Sequence, residues 1–458
     1  MSSSPSSPML NVVQVFRVSP PPSTVQNRSL ALTFFDMIWL LRPPVHHVFF
    51  YDLPDVTMSH FKTTIIPTLN NSLSTTLQHF FPYAGNLIIF PTHSKKPEIR
   101  YVQGDYVNIT YSESCNDNLD FNDLTGNHPR NCDKFYHLIP PLGPCVKNKE
   151  DDDDCNYTKI PVLSVQVTLF RNHGISIGIT IHHSLADATT QNEFLNAWTS
   201  ISQSGTDELF RSRNKFPFYD REVISNPRRD AETLVIALNV ESLENREYQV
   251  PHLYGPTNKV RATFIMTLNM VNRLKKLVKT HFPSIPYVST FTVACAYIWS
   301  CLVKSCKSDE LEILIFAIEC RARANPSIPA TYFGNCAIPC VCISETSVVR
   351  NEGFIATAKL IGEELHKVLT TEGGVLMARA PYSKVNGRTM IGVAGSPKMN
   401  FYDVDFGWGN PKKQEIISID YEGAISMNAS KESNENLEFG ISLPGTQMEN
   451  FAQIFNDG

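Results

Sequence analysis

Apolar residues along this chain alternate or recur at helical spacing, and prolines punctuate the patterned stretches. Ile175, Ile177, Ile179 and Ile181 alternate with Ser176, Gly178 and Thr180, the period of a strand with one apolar face. Pro161 to Phe170 reads as its partner, joined through the hairpin-type connection Arg171-Asn172-His173-Gly174. From Thr189 to Ser202, Phe194, Leu195, Trp198 and Ile201 fall on one face of a helix. Upstream, His60 to Phe81 places Phe61, Ile65, Leu69, Leu73, Leu77 and Phe80 three or four apart, which predicts a longer helix. Pro67 predicts a kink or break in its first turns, and Pro82 ends it. Val12 to Val18 reads as a strand, and Leu32 to Leu40 (LTFFDMIWL) as a buried segment. The second half predicts a strand over Arg261 to Leu268, helices over Met270 to His281 and Ser289 to Lys304, and a strand over Leu311 to Ile318. Two polar or acidic stretches, Ser112 to Asp123 and Lys147 to Asp154, read as surface loops. A Pro- and charge-rich connection over residues 210–230 predicts a linker between an N-terminal domain, 1–209, and a C-terminal domain, 231–458. Helices segregated from β-rich stretches, with hairpins present, predict an α+β fold with mixed sheets.

Composition narrows the partners. The 458 residues are 42% hydrophobic, enough for two sizeable cores. The net charge of −5 argues against a nucleic-acid partner, so any basic pocket must be local. No apolar run reaches the roughly 18 residues of a membrane helix. The start, MSSSPSSPML, has neither the basic nor the apolar part of a secretory signal. The eleven cysteines include no CxxC pair, and Cys336, Cys340 and Cys342 lack the second pair that a zinc site needs. The expectation is a cytoplasmic protein with reduced thiols and no metal.

Thirteen histidines are candidates for acid–base chemistry, and only His183 has an aspartate four residues later, Asp187. It follows the isoleucine strand, so its backbone is held while its side chain projects from a strand exit. A neutral imidazole there can take a proton from a hydroxyl. The competing reading is a core histidine beside a helix-capping Asp187. Metal ligation by His182, His183 and Asp187 is disfavoured because adjacent strand residues face opposite ways. No GxSxG marks a serine nucleophile, and the apolar neighbours of Cys336 predict an inert thiol. Asp405-Phe406-Gly407-Trp408-Gly409 predicts a tight bend with a packed indole. Its DFG triplet lacks the other kinase motifs.

Taken together, HxxxD at His183–Asp187 and DFGWG at Asp405–Gly409 resemble the two signatures of the plant BAHD acyltransferases. Tyr332-Phe333-Gly334-Asn335-Cys336 resembles a further signature of the clade that acylates sugar hydroxyls of anthocyanins and other glycosides. Leu32–Leu40, Phe81–Leu87, Val288–Lys304 and Gly395-Ser396-Pro397-Lys398 agree with the same family, so the resemblance spans nearly the whole chain. Ala188 departs from it, where many members have glycine. The resemblance implies two chloramphenicol-acetyltransferase-like domains joined by a crossover and separated by a solvent channel. It also implies acyl-CoA as co-substrate with no bound cofactor, a glycoside acceptor and a monomer. His183 would be the base, with Asp187 supporting its loop through an arginine, either Arg321 or Arg323. Arg321 could instead pair with Asp405, and Asp405, Gly407, Trp408 and Gly409 would be structural. The matching blocks place CoA at Lys259, Arg261, Ser289, Thr290, Ser396 and Lys398. A malonyl carboxylate would need a counter-charge, yet no Lys or Arg occurs from Ala188 to Phe210, where Glu193 and Asn196 sit. That favours acetyl as the donor group and malonyl second. The alternatives are a malonyl-specific flavonoid or anthocyanin glucoside transferase and a non-catalytic binding relative. A peptide-synthesis condensation domain shares HHxxxD but not YFGNC or DFGWG.

Overall fold

The structure, a computed structural model, describes residues 9–90, 95–115, 119–149, 156–238, 249–284, 288–306, 311–379, 390–421 and 423–457. The isoleucine strand, Gly174–Ile181, is central in a six-stranded mixed sheet. In spatial order that sheet runs Leu10–Val18, Val107–Ser114, Leu163–Phe170, Gly174–Ile181, Val45–Asp52 and Lys413–Ile416. The expected hairpin forms, with Asn172 at φ 59°, a left-handed position that asparagine tolerates in turns. The alternation predicts one apolar and one polar face, but the structure buries both. A Cβ on Gly178 would fall 1.9 Å from the Leu138 carbonyl oxygen, so the backbone after Phe135 lies directly on the second face. Thr180 Oγ1 donates to the Pro140 carbonyl in the same place (2.5 Å).

Two helices cover the isoleucine face. Ala188–Ser204 buries Phe194, Leu195, Trp198 and Ile201, the stripe read from sequence, each worth about 1.5–3 kcal/mol of transfer free energy. The second is the helix with Pro67 near its start. It runs as Met58–His60, a π turn at Phe61–Ile65, and Ile66–His79. Pro67 has no N–H to give the carbonyl four residues earlier and would clash with it. The chain answers with a wider loop, in which the Ile66 N–H bonds the Phe61 carbonyl.

The second half builds a seven-stranded sheet in the order Ala337–Glu345, Leu311–Glu319, Ile391–Gly395, Ile425–Ala429, Leu437–Pro444, Lys259–Met266 and Arg130–Asn131. The nearly all-apolar helix Thr290–Ser305 is buried between this sheet and the helices Gly353–Leu369 and Gly445–Asp457. A five-stranded sheet caps the first half: Arg28–Ala31, Glu98–Tyr101, Asn86–Ile89, Asn156–Pro161 and Val146–Lys149.

Both surface-loop expectations need correction where the residues are described. Ser112 to Ser114 continue a strand, Phe121–Thr125 is a helix capped by Asp120, and Lys147 to Lys149 pair in the small sheet. The aspartate run 151–154 lies outside the described residues. The 210–230 connection holds the end of the helix Glu208–Ser212, the turn Glu222–Ile224 and the start of the helix Pro227–Leu238.

The sheets cross the sequence boundary in both directions. Lys413–Ile416 pairs with Val45–Asp52 of the first half, and Arg130–Asn131 pairs with Lys259–Met266 of the second. Charges buried at this exchange hold it together. Glu415 meets Arg130 (2.8 Å) and Arg261 (3.2 Å), and Arg261 also reaches Asp420 (3.5 Å). Burial alone would raise the Glu415 carboxyl, but the two arginines outweigh it and hold it at about 2. Among the described residues, no helix is long and apolar enough to cross a membrane.

Candidate active site

The ladder of the isoleucine strand continues one residue past Ile181, through the His182 N–H to the Val162 carbonyl (2.9 Å). His183 follows, and the chain turns back with the Leu185 N–H on the His182 carbonyl (2.9 Å). Asp187 then caps the next helix, its Oδ1 accepting the Thr190 N–H (3.0 Å). The other oxygen accepts the Cys336 N–H (3.0 Å). Arg321 grips both, Nη1 to Oδ2 at 2.8 Å and Nη2 to Oδ1 at 3.2 Å, and donates further to the Tyr332 and Gly334 carbonyls. Of the two arginines named from sequence, Arg321 makes the pair, while Arg323 turns to Glu319. Every hydrogen bond of the Asp187 carboxylate thus runs to Arg321, to the helix start or to the YFGNC segment, none to the imidazole.

His183 is half-buried, and its Nδ1 has no hydrogen-bond partner. Its carbonyl accepts from Asn335 Nδ2 (3.0 Å). The Trp39 indole lies parallel to the ring, centroids 3.6 Å apart and planes 3° from coincident. Burial pulls the imidazole down from its ordinary 6.5 to about 4, with its own backbone, then the Asp187 charge and Asn335 opposing, so it is neutral at pH 7. His182 is fully buried and pulled down to about 3, and its Nδ1 accepts the Ser184 N–H (3.3 Å). Among the described residues, no three His, Cys, Asp or Glu side chains gather as a metal site. Burial pushes the Cys336 thiol up, away from the thiolate a nucleophile needs.

The DFGWG segment is a backbone nest. Asp405 Oδ1 accepts the N–H groups of Gly407 (2.7 Å), Trp408 (3.0 Å) and Gly409 (2.9 Å). Gly407 and Gly409 have φ of 103° and 89°, which side chains disfavour. Though it lies in the second half of the sequence, the motif docks on the first: Phe406 edges against Trp198, and Trp408 against Tyr51. It therefore anchors the exchanged strand that follows it.

A channel of about 1660 Å³ runs between the halves. One wall is the helix after HxxxD, presenting Asn192, Glu193, Asn196, Ser200 and Gln203. The other includes Ser289, Thr290, Ser396 and Lys398, four of the six positions expected at CoA. The remaining two do not line it. Arg261 is consumed in the buried charge cluster, and Lys259 Nζ donates to the Asp420 carbonyl (2.9 Å). Sequence reading missed a different basic group. Lys275, Lys276 and Lys279 line an adjoining cavity of about 530 Å³ that shares Val288 with the channel, and Lys275 Nζ donates to Thr290 Oγ1 (2.8 Å). On a helical wheel these lysines read as a solvated face, and only their folding against Ser289–Thr290 singles them out. Trp39 was likewise unmarked, inside a run that read as core. Glu193 is raised to about 7 by burial and by Asp187, against Arg321 and Lys215.

Two sheet-bearing halves around one channel, with the aspartate of HxxxD at its wall, define the class of two-domain acyltransferases. The chain belongs to the Transferase family, whose sequence model matches residues 10–457: it is a BAHD acyltransferase, with acyl-CoA as co-substrate. It is 47% identical to the malonyl-coenzyme A:anthocyanin 3-O-glucoside-6''-O-malonyltransferase of Dahlia pinnata, over 98% of each chain. It is 39% identical to phenolic glucoside malonyltransferase 1 of Nicotiana tabacum, over 92% of each. The fold is that of vinorine synthase, with a TM-score of 0.65 over 96% of each chain and 19% identity.

Proposed function

We propose that this enzyme moves a short acyl group from acyl-CoA to a sugar hydroxyl of a phenolic or related glycoside, with His183 as general base. The observation that carries the reading is a neutral imidazole at the end of a rigid strand, four residues before Asp187, which lines a channel walled by both halves. His183 Nε2 takes the hydroxyl proton as the oxygen attacks the thioester carbonyl. The tetrahedral intermediate expels CoA thiolate, which recovers that proton. No enzyme nucleophile is required, in keeping with the raised thiol of Cys336. The named activities of the Dahlia and tobacco relatives support the glycoside acceptor and a malonyl donor. Acetyl, favoured on sequence because the helix after HxxxD carries no cation, becomes the second reading. Glu193 on that wall supports acetyl, but Arg213, Lys215, Arg323 and Lys398 reach the same channel from other segments. The working unit in this proposal is a cytoplasmic monomer.

The test is CoA release with malonyl-CoA and acetyl-CoA in turn, with flavonoid and simple phenolic glucosides as acceptors, and the product identified by mass. Malonyl-CoA is expected to give the higher kcat/KM. Faster acetyl transfer would move the donor to the second reading, and no release with either would sink short-acyl transfer.

The lysine cavity belongs to the same proposal as the seat of the CoA phosphates, beside the N-terminus of Thr290–Ser305. Reversing the charge at Lys275 and Lys279 together is expected to raise KM for acyl-CoA by roughly 5- to 20-fold, less so in high salt, with kcat little changed. An unchanged KM at low salt would remove the cavity from the binding path.

A further inference from the structure

The ring of His183 has an unusual mounting. In a hydrogen-bonded histidine base a carboxylate or carbonyl on Nδ1 fixes the ring plane, because rotation about the last side-chain bond is otherwise broad. Here both oxygens of Asp187 are taken by Thr190, Cys336 and Arg321, and Nδ1 makes no well-aligned hydrogen bond, with only its own backbone and Asn335 acting on it. What the ring does have is Trp39, stacked on it at 3.6 Å and 3°. Trp39 is itself well placed. Its backbone N–H donates to the Asp36 carbonyl (3.2 Å), at the end of the short helix Phe34–Met37. The Asp36 carboxylate is buried and accepts from the Thr33 N–H and Oγ1 (both 2.9 Å) through Oδ2. Its Oδ1 accepts from the Asn335 N–H (2.9 Å) and Nδ2 (3.0 Å). That same Nδ2 donates to the His183 carbonyl. One bridge, Asp36 to Asn335, therefore holds the backbone of His183 and the root of the indole that faces its ring.

From this geometry we infer that Trp39 is the positioning residue of the catalytic base. It takes the part that a carboxylate on Nδ1 would play in fixing the imidazole plane, and its π face receives the positive charge when the ring takes the acceptor proton. A cation over an indole face is attracted to it, more strongly when both are withdrawn from water. The stack thus offsets part of the cost of forming imidazolium in a buried place, at the moment in the reaction when that cost arises. The inference rests on His183 being the base.

The test compares Trp39→Phe and Trp39→Leu with wild type and His183→Ala, using whichever donor and glucoside turn over. Trp39→Leu is expected to lower kcat by roughly 10- to 100-fold, the scale of a misplaced catalytic group, with KM for acyl-CoA within about twofold. Trp39→Phe keeps an aromatic face and is expected to recover most of kcat. The His183 ring proton resonance, assigned by its loss in His183→Ala, should lie upfield through the indole ring current and move downfield in Trp39→Leu. An unaltered kcat in Trp39→Leu would overturn the inference, as would Trp39→Phe failing as badly as Trp39→Leu at an equal melting temperature. Activity surviving in His183→Ala would instead remove the reading beneath it.

Discussion

His183→Ala is expected to lower acceptor-dependent CoA release by roughly 10³- to 10⁴-fold, the upper part of the range for a lost general base. The imidazole is neutral at pH 7 because burial holds it near 4. The base form is therefore fully populated, and activity should not show the acid limb near 6.5 of an exposed histidine. As pH falls through about 4 the ring protonates and the base is lost. Stability follows the same sign. The folded-state pKa is depressed below the unfolded 6.5, so the unfolded chain binds this proton more readily, and stability declines between pH 6.5 and 4. Removing the ring also removes that penalty, so the variant should melt no lower than wild type at pH 5. The near-ultraviolet circular dichroism spectrum should be preserved, since Nδ1 has no partner to orphan. Activity within tenfold of wild type would show that the proton goes elsewhere.

Asp187→Ala is expected to destabilise the protein by about 3–5 kcal/mol, the cost of stripping one partner from a buried ion pair. Arg321 is 3% exposed, and its remaining acceptors are mostly neutral carbonyls. The helix cap on Thr190 and the Cys336 N–H lose their acceptor in the same step. Asp187→Asn keeps an oxygen for the cap and should fall between the two. Arg321→Lys should not rescue, because one ammonium cannot hold both carboxylate oxygens and two carbonyls in a plane. Chemical denaturation with activity measured in parallel decides what Asp187 does. A structural role predicts that activity tracks the folded fraction. A variant as stable as wild type but inactive would assign Asp187 a chemical one.

The contrast between these two residues shows what was legible in the sequence. The strand, its exit at His183 and the helix after it are local patterns of period two and 3.6, and Pro67 announced the irregular turn that precedes it at Phe61–Ile65. Arg321 stands 134 residues from Asp187, and only resemblance to a family pointed to it. Trp39 stands still further from its histidine in sequence, in a stretch whose apolar run is equally good core. Lys259 and Arg261 show the opposite failure. On sequence a basic pair at a strand start reads as surface charge near a phosphate, but the exchange of edge strands covers that strand and turns Arg261 inward. Pairing between distant segments is set by the whole sheet, which no short window of sequence contains.

That exchange bears on how the enzyme can move. Each half lends the other an edge strand, and buried arginines and carboxylates are riveted through the join. A jaw that swings open to admit its substrates would have to tear hydrogen-bonded strands out of both sheets. The enzyme is thus a tunnel with two fixed walls rather than a clamp. Substrates must thread it, and selectivity is decided by the bore, so altering which glycoside is accepted means recutting side chains along the passage rather than loosening a hinge. Nor should either half survive alone, since each would be left with a raw sheet edge that invites aggregation.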